Sequence, residues 1–138
     1  MKTLRVVIEP GKDGFGIMYQ NQELNSVTSF GETLNEAKEN AKEALIDFME
    51  FCHESNLELP GILKSVSIKN INLSFTYMLK YYFKEFPYLN ISQLAYAINE
   101  NPSLLRQYDK GLVFASEDKY LKIRDGIRAI GKELEAAT

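Results

Sequence analysis

The sequence contains very few of the residues on which catalytic and metal sites are usually built. Its 138 residues include one cysteine, one histidine and no tryptophan. The single cysteine, Cys52, excludes an intramolecular disulfide and a zinc site made of several cysteines. Cys52 lies on the apolar side of a predicted helix, so we expect a buried thiol rather than a nucleophile. His53 follows it among charged residues at the end of that helix, where we expect a solvated side chain rather than a general base.

Long apolar segments and phosphate-binding loops are also missing. No apolar run approaches the roughly 20 residues that a membrane-spanning helix needs, and the first residues lack the pattern of a signal peptide. Gly11, Gly14 and Gly16 lie in a predicted hairpin turn, whereas a phosphate-binding loop lies between a strand and a helix. The sequence therefore predicts a cytoplasmic protein that is not an enzyme, without catalytic residues, a metal or a cofactor.

Charge is unevenly distributed along the chain. Residues 1–73 hold seven Lys+Arg and eleven Asp+Glu, for a net charge of −4, whereas residues 74–138 hold nine and eight, for +1. Phosphate binding depends on local lysines and arginines rather than on the charge of the whole chain. Because the second part can supply only a few such contacts, we expect useful phosphate binding to require a homodimer or a higher homo-oligomer.

The first part of the chain has the pattern of a small layer of strands and one helix. Residues 4–9 are rich in β-branched side chains and predict a strand, and residues 15–20 predict its partner across the turn at residues 10–14. Residues 26–30 predict a third short strand. Residues 62–73 predict a fourth, because apolar residues alternate there.

The strongest helix signal lies between the third and fourth of these strands. Thr33 and Glu36 match a capping box, in which two reciprocal hydrogen bonds satisfy free amides of the first turn. The apolar stripe of this helix, which runs to about residue 54, consists of Leu34, Ala37, Ala41, Ala44, Leu45, Phe48 and Cys52. Its other side mixes lysines with acidic residues, a pattern that is typical of a solvated face but also suits a basic partner. The acidic residues are Glu36, Glu39, Glu43, Asp47, Glu50 and Glu54.

The second part of the chain is predicted to begin and end with a helix. Ser74 is placed to cap the first, which Pro87 ends. The apolar face of this helix consists of Phe75, Met78, Leu79, Tyr82, Phe83 and Phe86. Ser116 is placed to cap the last, whose apolar seam either covers the helices before it or pairs with a second copy. The seam consists of Tyr120, Ile123, Ile127, Ile130 and Leu134.

Residues 90–111, between these two helices, predict a short helix, a tight turn and a second short helix. Asn90 is a good N-cap, and Ala95 is small enough for two helices to cross closely. Pro102 suits the first turn of the second helix, and Gly111 is placed to end it. The apolar faces consist of Ile91, Leu94, Ala95 and Ile98 in the first helix and of Leu104, Leu105 and Tyr108 in the second.

This segment resembles the repressor-type helix-turn-helix, whose second helix offers polar side chains to the major groove. Asn99 stands where that family usually has glycine, and asparagine readily adopts the left-handed conformation that the turn requires. The resemblance implies operator DNA as a partner. We expect Arg106 and Gln107 to read base edges, with Asn101 and Ser103 near the groove. Phosphate contacts are expected from Asn90, Ser92 and Lys110.

The predicted hairpin and the helix after it together resemble the HicB family of antitoxins. The shared pattern is an Asp-Gly hairpin followed by Gly-x-Thr-x-x-Glu-Ala-x-x-Asn-x-x-Glu-Ala-Leu, and it covers roughly residues 4–50. The matching residues are Asp13, Gly14, Phe15, Gly31, Thr33, Leu34, Glu36, Ala37, Asn40, Ala41, Glu43, Ala44 and Leu45. One departure is residues 19–25, where the family usually has a stretch rich in proline and aspartate.

The resemblance implies an α+β chain with two domains. Residues 1–73 would form a β-β-β-α-β, partly RNase H-like domain that binds and masks a small HicA-type toxin, which cleaves mRNA. Residues 74–138 would form an all-α helix-turn-helix domain that dimerises and represses the shared operon. Convergent carboxylates for two metals are not evident, so this RNase H-like fold is expected to be non-catalytic. The alternative is a two-domain protein-interaction or oligomerisation module without DNA binding.

Overall fold

The computed structural model describes residues 2–64 and 66–138, so that Met1 and Ser65 lie outside the described ranges. These ranges hold a four-stranded sheet and five α-helices, which confirms the α+β class expected from the sequence. The strands are β1 Lys2–Pro10, β2 Phe15–Tyr19, β3 Thr28–Gly31 and β4 Ile71–Tyr77. The helices are α1 Leu34–Glu54, α2 Lys80–Lys84, α3 Ile91–Ala97, α4 Pro102–Asp109 and α5 Glu117–Ala136. The chain divides into two compact units, one up to Thr76 and one from Tyr77 to Thr138.

The sheet has the strand order β3-β2-β1-β4. β1 and β2 form an antiparallel hairpin in which Val6 pairs with Tyr19 and Ile8 pairs with Ile17. These four side chains are all buried, because the alternation of a strand places every second residue on the same face of the sheet. β3 pairs with β2 in an antiparallel arrangement as well.

The long helix α1 packs against β2 and β3 along its alanine stripe. Ala37, Ala41 and Leu45 are fully buried there, and the Tyr19 hydroxyl donates a hydrogen bond to the Ala41 carbonyl oxygen at 2.7 Å. Gly31 permits the close approach of the helix, because a Cβ atom at this position would lie 2.3 Å from the Ala37 nitrogen. A side chain at residue 31 would therefore push the helix off the sheet.

Three other residues of the motif connect the start of α1 to its surroundings. Thr33 Oγ1 accepts a hydrogen bond from the Glu36 N–H at 3.1 Å, which is one half of the predicted capping box. Asn40 Nδ2 donates a hydrogen bond to the Phe30 carbonyl oxygen at 2.8 Å, and this contact ties α1 to the end of β3. The motif residues thus have structural roles within the first unit.

The fourth strand begins later than the sequence predicts. The range 62–73 holds two 3-10 turns, Gly61–Leu63 and Ile68–Asn70, before β4 starts at Ile71. Ser65, which belongs to the predicted strand, lies outside the described residues. The prediction was wrong here because short apolar stretches alternate equally well in a strand and in an irregular segment with turns.

The helix predicted from Ser74 onward was also wrong over its first residues. Residues 74–77 belong to β4, and α2 begins only at Lys80. The apolar residues of this segment fit the periods of both a strand and a helix. The segment adopts the strand because it lies beside β1 in the sheet. Aromatic and hydroxyl side chains such as Phe75 and Thr76 also fit a half-buried pleated surface.

The second unit contains a cluster of tyrosines. The rings of Tyr77 and Tyr120 stack with their centroids 4.9 Å apart, and the Tyr82 ring meets Tyr120 edge-on at 5.7 Å. Burial is the main cause that raises the pKa of Tyr82 to about 12. Tyr77 also pairs with Ala115 in an isolated antiparallel bridge, and the unit is therefore not the purely helical domain that the sequence predicts.

Candidate nucleic-acid interface

α3 begins and ends through local hydrogen bonds. Asn90 Oδ1 accepts from the Gln93 N–H at 3.0 Å, which is the predicted N-cap. At the other end the Asn99 N–H donates to the Tyr96 carbonyl oxygen at 3.2 Å, and the Glu100 N–H donates to Ala95 at 2.8 Å. These two bonds form a Schellman motif, which requires a left-handed residue after the helix. Asn99 supplies it with a φ of 58°, as the sequence predicts.

α4 is closed at both ends in a similar way. Asn101 Oδ1 accepts from the N–H groups of Ser103 at 2.8 Å and Leu104 at 3.2 Å. Pro102 occupies the first turn, where a missing N–H has no cost. Gly111 has a φ of 73° and ends the helix, as predicted. The start and the end of α4 are thus set by capping residues that the sequence itself supplies.

α5 holds the turn between these helices in place. Lys119 Nζ donates to both carboxylate oxygens of Glu100 at 2.7 Å, and Lys122 Nζ donates to the Asn99 carbonyl oxygen at 2.9 Å. Hydrogen bonds from Lys119 are the largest cause that lowers the pKa of the Glu100 carboxyl. Lys119 and Lys122 are therefore both engaged in hydrogen bonds to the turn.

The residues of α4 and its C-cap that are predicted to contact DNA differ in their solvent exposure. Ser103, Arg106 and Lys110 are exposed, whereas Leu105 and Tyr108 are buried against the rest of the unit. The exposed residues are three and four positions apart, so they form one polar line along the helix. Gln107 is half-buried beside that line and is therefore less accessible than Arg106.

Asn90 and Ser92, which are predicted to contact phosphates, and Asn101, which is predicted to lie near the groove, have different local roles. Asn90 and Asn101 each commit a side-chain oxygen to a helix cap, which leaves their amide NH2 groups as the remaining donors. Ser92, on the first turn of α3, accepts a hydrogen bond from Arg106 Nη1 at 2.8 Å. The structure thereby brings together two residues that lie 14 positions apart in the sequence.

Lys80 is a basic residue near α4 that sequence reasoning missed, and Lys84 lies one turn from it on α2. Both ammonium groups lie over the ring of Tyr81, at 5.7 Å and 5.0 Å from its centroid. Lys80 also lies beside the end of α4, since its Cδ would be 3.1 Å from a Cβ atom at Gly111. The sequence signal for these residues is two lysines that flank the aromatic residues of the segment 80–84. The helix predicted there was interpreted only by its apolar side.

The first unit presents a second charged surface, the acidic row on α1. Its six carboxylates recur about once per helical turn and are all exposed. They are Glu36, Glu39, Glu43, Asp47, Glu50 and Glu54. Cys52 is buried as predicted, and His53 is exposed in the last turn of α1.

Neither surface includes a metal centre or a membrane segment in the described part of the chain. Residues 2–64 and 66–138 contain no group of three or more His, Cys, Asp or Glu side chains able to hold a metal ion. Every helix within these ranges is too short or too polar to span a membrane. Comparison with protein-family models, with curated proteins and with solved structures found no match to this chain.

Proposed function

We propose that this protein is a sequence-specific DNA-binding repressor whose first unit is an antitoxin for a small basic toxin. The observation that carries the DNA half is the exposed line formed by Ser103 and Arg106 on α4 and by Lys110 directly after it. This line lies next to a turn in which Asn99 is left-handed and both helices are capped. Docking in the major groove requires a short helix with a polar outer face and a fixed angle to its neighbour. This arrangement supports that use.

The charges of the second unit favour binding by more than one copy. Lys80 and Lys110 lie at the end of α4, and Lys84 lies one turn along α2 from Lys80. No described carboxylate pairs with any of these three lysines. Two copies would neutralise about six phosphates. In a plot of the logarithm of the binding constant against the logarithm of salt concentration, each neutralised phosphate would contribute about −0.9 to the slope. Base-specific contacts from Arg106 would add discrimination to this salt-dependent attraction.

Binding of the purified protein to the DNA upstream of its own gene tests this half. A labelled duplex is titrated with protein between about 50 and 200 mM salt, against an unlabelled duplex of the same composition in scrambled order. Selective and salt-dependent binding is expected, with a near-palindrome whose half-sites are one or more helical turns apart. Equal affinity for both duplexes at every salt concentration would contradict repression by this unit.

The antitoxin half is supported by the acidic row on α1 and by the resemblance of the sequence to HicB antitoxins. A toxin that binds RNA needs a basic face, and a domain with a net charge of −4 over residues 1–73 is its electrostatic complement. The order β3-β2-β1-β4 with one long helix is compatible with the partly RNase H-like fold that the resemblance implies. Masking would be steric and electrostatic, without chemistry.

Co-expression with a small basic protein encoded next to this gene tests the antitoxin half. We expect the neighbour alone to stop growth and the pair to grow and co-purify. Replacing Glu43 and Asp47 by lysine should weaken the complex, whereas replacing Glu133 and Glu135 of α5, which are equally exposed, should not. Normal growth with the neighbour alone would remove the toxin from the proposal.

The rival function, oligomerisation without DNA binding, has one supporting observation. The apolar seam of α5 is buried at Tyr120 and Ile123, but Ile130 is only half-buried and Leu134 is 62% exposed. Oligomers that bind no DNA selectively would favour this reading over repression.

A further inference from the structure

Arg106 and Ser92 form a hydrogen-bonded pair on the surface that we assign to DNA. The donor is Arg106 Nη1 and the acceptor is Ser92 Oγ, at 2.8 Å. Arg106 is exposed and Ser92 is half-buried. The bond connects the second helix of the helix-turn-helix to the first turn of the first helix, so it fixes the guanidinium relative to both.

The chemistry of the two groups leaves specific donors unused. A guanidinium has five N–H groups in a rigid fork, and the bond to Ser92 uses one of the two on Nη1. The edge formed by Nε and Nη2 remains able to make a bidentate contact. Guanine presents O6 and N7 as a matching pair of acceptors in the major groove. The Ser92 hydroxyl accepts one hydrogen bond here and still has its own proton to donate.

We propose that Ser92 is a positioning residue for base recognition by Arg106. Ser92 holds Nη1, so that Arg106 presents its Nε and Nη2 edge to a guanine, while the Ser92 hydroxyl proton is donated to a phosphate oxygen. The pair thus couples a backbone contact to a base contact. This inference rests on the proposed DNA-binding function and names the base and the edge that the site would recognise.

Loss of the Arg106–Ser92 hydrogen bond should change base discrimination rather than overall affinity for DNA. An arginine with a free side chain still attracts phosphates, but it loses rotamer freedom when it binds a base. Removing Ser92 should therefore reduce discrimination between base pairs more than it reduces non-specific affinity. A purely structural role for Ser92 would instead lower the thermal stability and affect all duplexes alike.

The experiment begins with a duplex selected by the full-length protein from a randomised pool. Each G·C pair of that duplex is replaced in turn, and the affinity ratio defines the discrimination at each position. Ser92→Ala should lower the discrimination at one guanine by about threefold to tenfold, the range of a single hydrogen bond. Ser92→Thr retains the hydroxyl and should restore it. Gln93→Ala is the control, because Gln93 is exposed beside Ser92 on α3 and its side chain makes no described contact with Arg106.

Two further measurements separate this mechanism from other roles. In an Arg106→Ala background, Ser92→Ala should have no further effect on discrimination at that guanine. The thermal midpoint of the double variant should match that of the Arg106→Ala single variant. Replacing the guanine by 7-deazaguanine, which lacks the N7 acceptor, should reduce the affinity of the wild type more than that of Arg106→Ala.

The outcomes distinguish this inference from the proposed function. A wild-type protein that selects no duplex from the pool would overturn the DNA-binding function and this inference with it. A selective wild type whose Ser92→Ala variant keeps full discrimination at every guanine would overturn the role of Ser92 alone. The same holds if Ser92→Ala reduces discrimination equally when Arg106 is absent.

Discussion

Glu100, in the turn between α3 and α4, accepts both of its hydrogen bonds at 2.7 Å from a single partner, the Lys119 ammonium of α5. The Glu100 side chain is only 7% exposed, and Lys122 Nζ lies 3.5 Å from its Oε1. The last helix therefore fixes the turn on which the orientation of α4 depends. Stability of the second unit and the geometry of its proposed DNA surface are linked through this one carboxylate.

Acidification should destabilise the protein through Glu100. The bonds from Lys119 lower its pKa in the folded state relative to the ordinary value of 4.5. The stabilisation is therefore present above about pH 4.5 and is lost as the pH falls through the folded-state pKa. Glu100→Gln should be less stable than the wild type at pH 7, and the difference should shrink in acid. Urea unfolding between pH 7 and pH 3 measures this; Glu135→Gln, exposed at the end of α5, is the control and should leave the pH dependence unchanged.

The two glycines of α5 should respond in opposite ways to alanine. A Cβ atom at Gly126 would lie 2.2 Å from Ile98 Cγ2, whereas nothing lies within 4 Å of one at Gly131. We expect Gly126→Ala to lower the free energy of unfolding by about 1–3 kcal/mol through overpacking. Gly131→Ala should raise it by about 0.5–1 kcal/mol, because alanine favours a helix. Chemical denaturation of both variants checks this, and equal effects of the same sign would contradict the close packing of α5 against residue 98.

Asn99 should be replaceable by glycine but not by alanine. Its φ of 58° is unfavourable for residues with a Cβ atom, and asparagine tolerates it better than alanine does. Asn99→Ala should lower the free energy of unfolding by about 1 kcal/mol, while Asn99→Gly should change it by less than about 0.5 kcal/mol. The bond from Lys122 is made to the Asn99 carbonyl and survives in both variants. Gln93→Ala, at an exposed position of α3, is a suitable control; an unaltered Asn99→Ala protein would show that the turn is not left-handed in solution.

Base and phosphate contacts should be separable by mutation. Arg106→Ala should reduce discrimination between preferred and scrambled DNA by about 1–3 kcal/mol, with a thermal midpoint close to that of the wild type because Arg106 is exposed. Lys84→Ala should weaken the complexes with preferred and with scrambled DNA alike. It should also reduce, by about 1, the slope of the logarithm of the binding constant against the logarithm of salt concentration. Titrations over a salt series distinguish the two. If Arg106→Ala kept its selectivity, Arg106 would not read bases.

The buried hydroxyl of Tyr19 should contribute measurably to the first unit. It donates to the Ala41 carbonyl oxygen at 2.7 Å, and burial raises its pKa well above the ordinary value. Tyr19→Phe should lower the free energy of unfolding by about 0.5–1.5 kcal/mol. Tyr81→Phe, at a ring that is 49% exposed, should have almost no effect. Similar losses in both variants would argue against a structural role for the hydroxyl.

Local signals in the sequence were reliable wherever a few neighbouring residues decide the structure. Asn90, Asn101 and Ser116 each cap a helix through a side-chain oxygen, and Asn99 and Gly111 adopt the left-handed conformations that end two helices. Caps of this kind depend on bonds within three or four positions, so the residue types alone predict them.

Signals that depend on distant partners were not reliable. The segment Ile71–Tyr77 fits two periodicities, and its place beside β1 in the sheet decides between them. The sequence also assigned Arg106 to bases and Ser92 to phosphates as separate contacts. Only the folded chain places one beside the other.

By itself, then, the sequence determined the α+β class, the caps of α1, α3, α4 and α5 and the polar residues of α4, because propensity and capping act over short distances. The tertiary structure decided which charged residues remain for a partner. Lys119 and Lys122 are bonded to the turn, whereas Lys80 lies near the end of α4 and Lys84 lies one turn further along α2. This allocation depends on contacts between residues 19 or more positions apart. Their cost in chain entropy is recovered only when the whole unit packs.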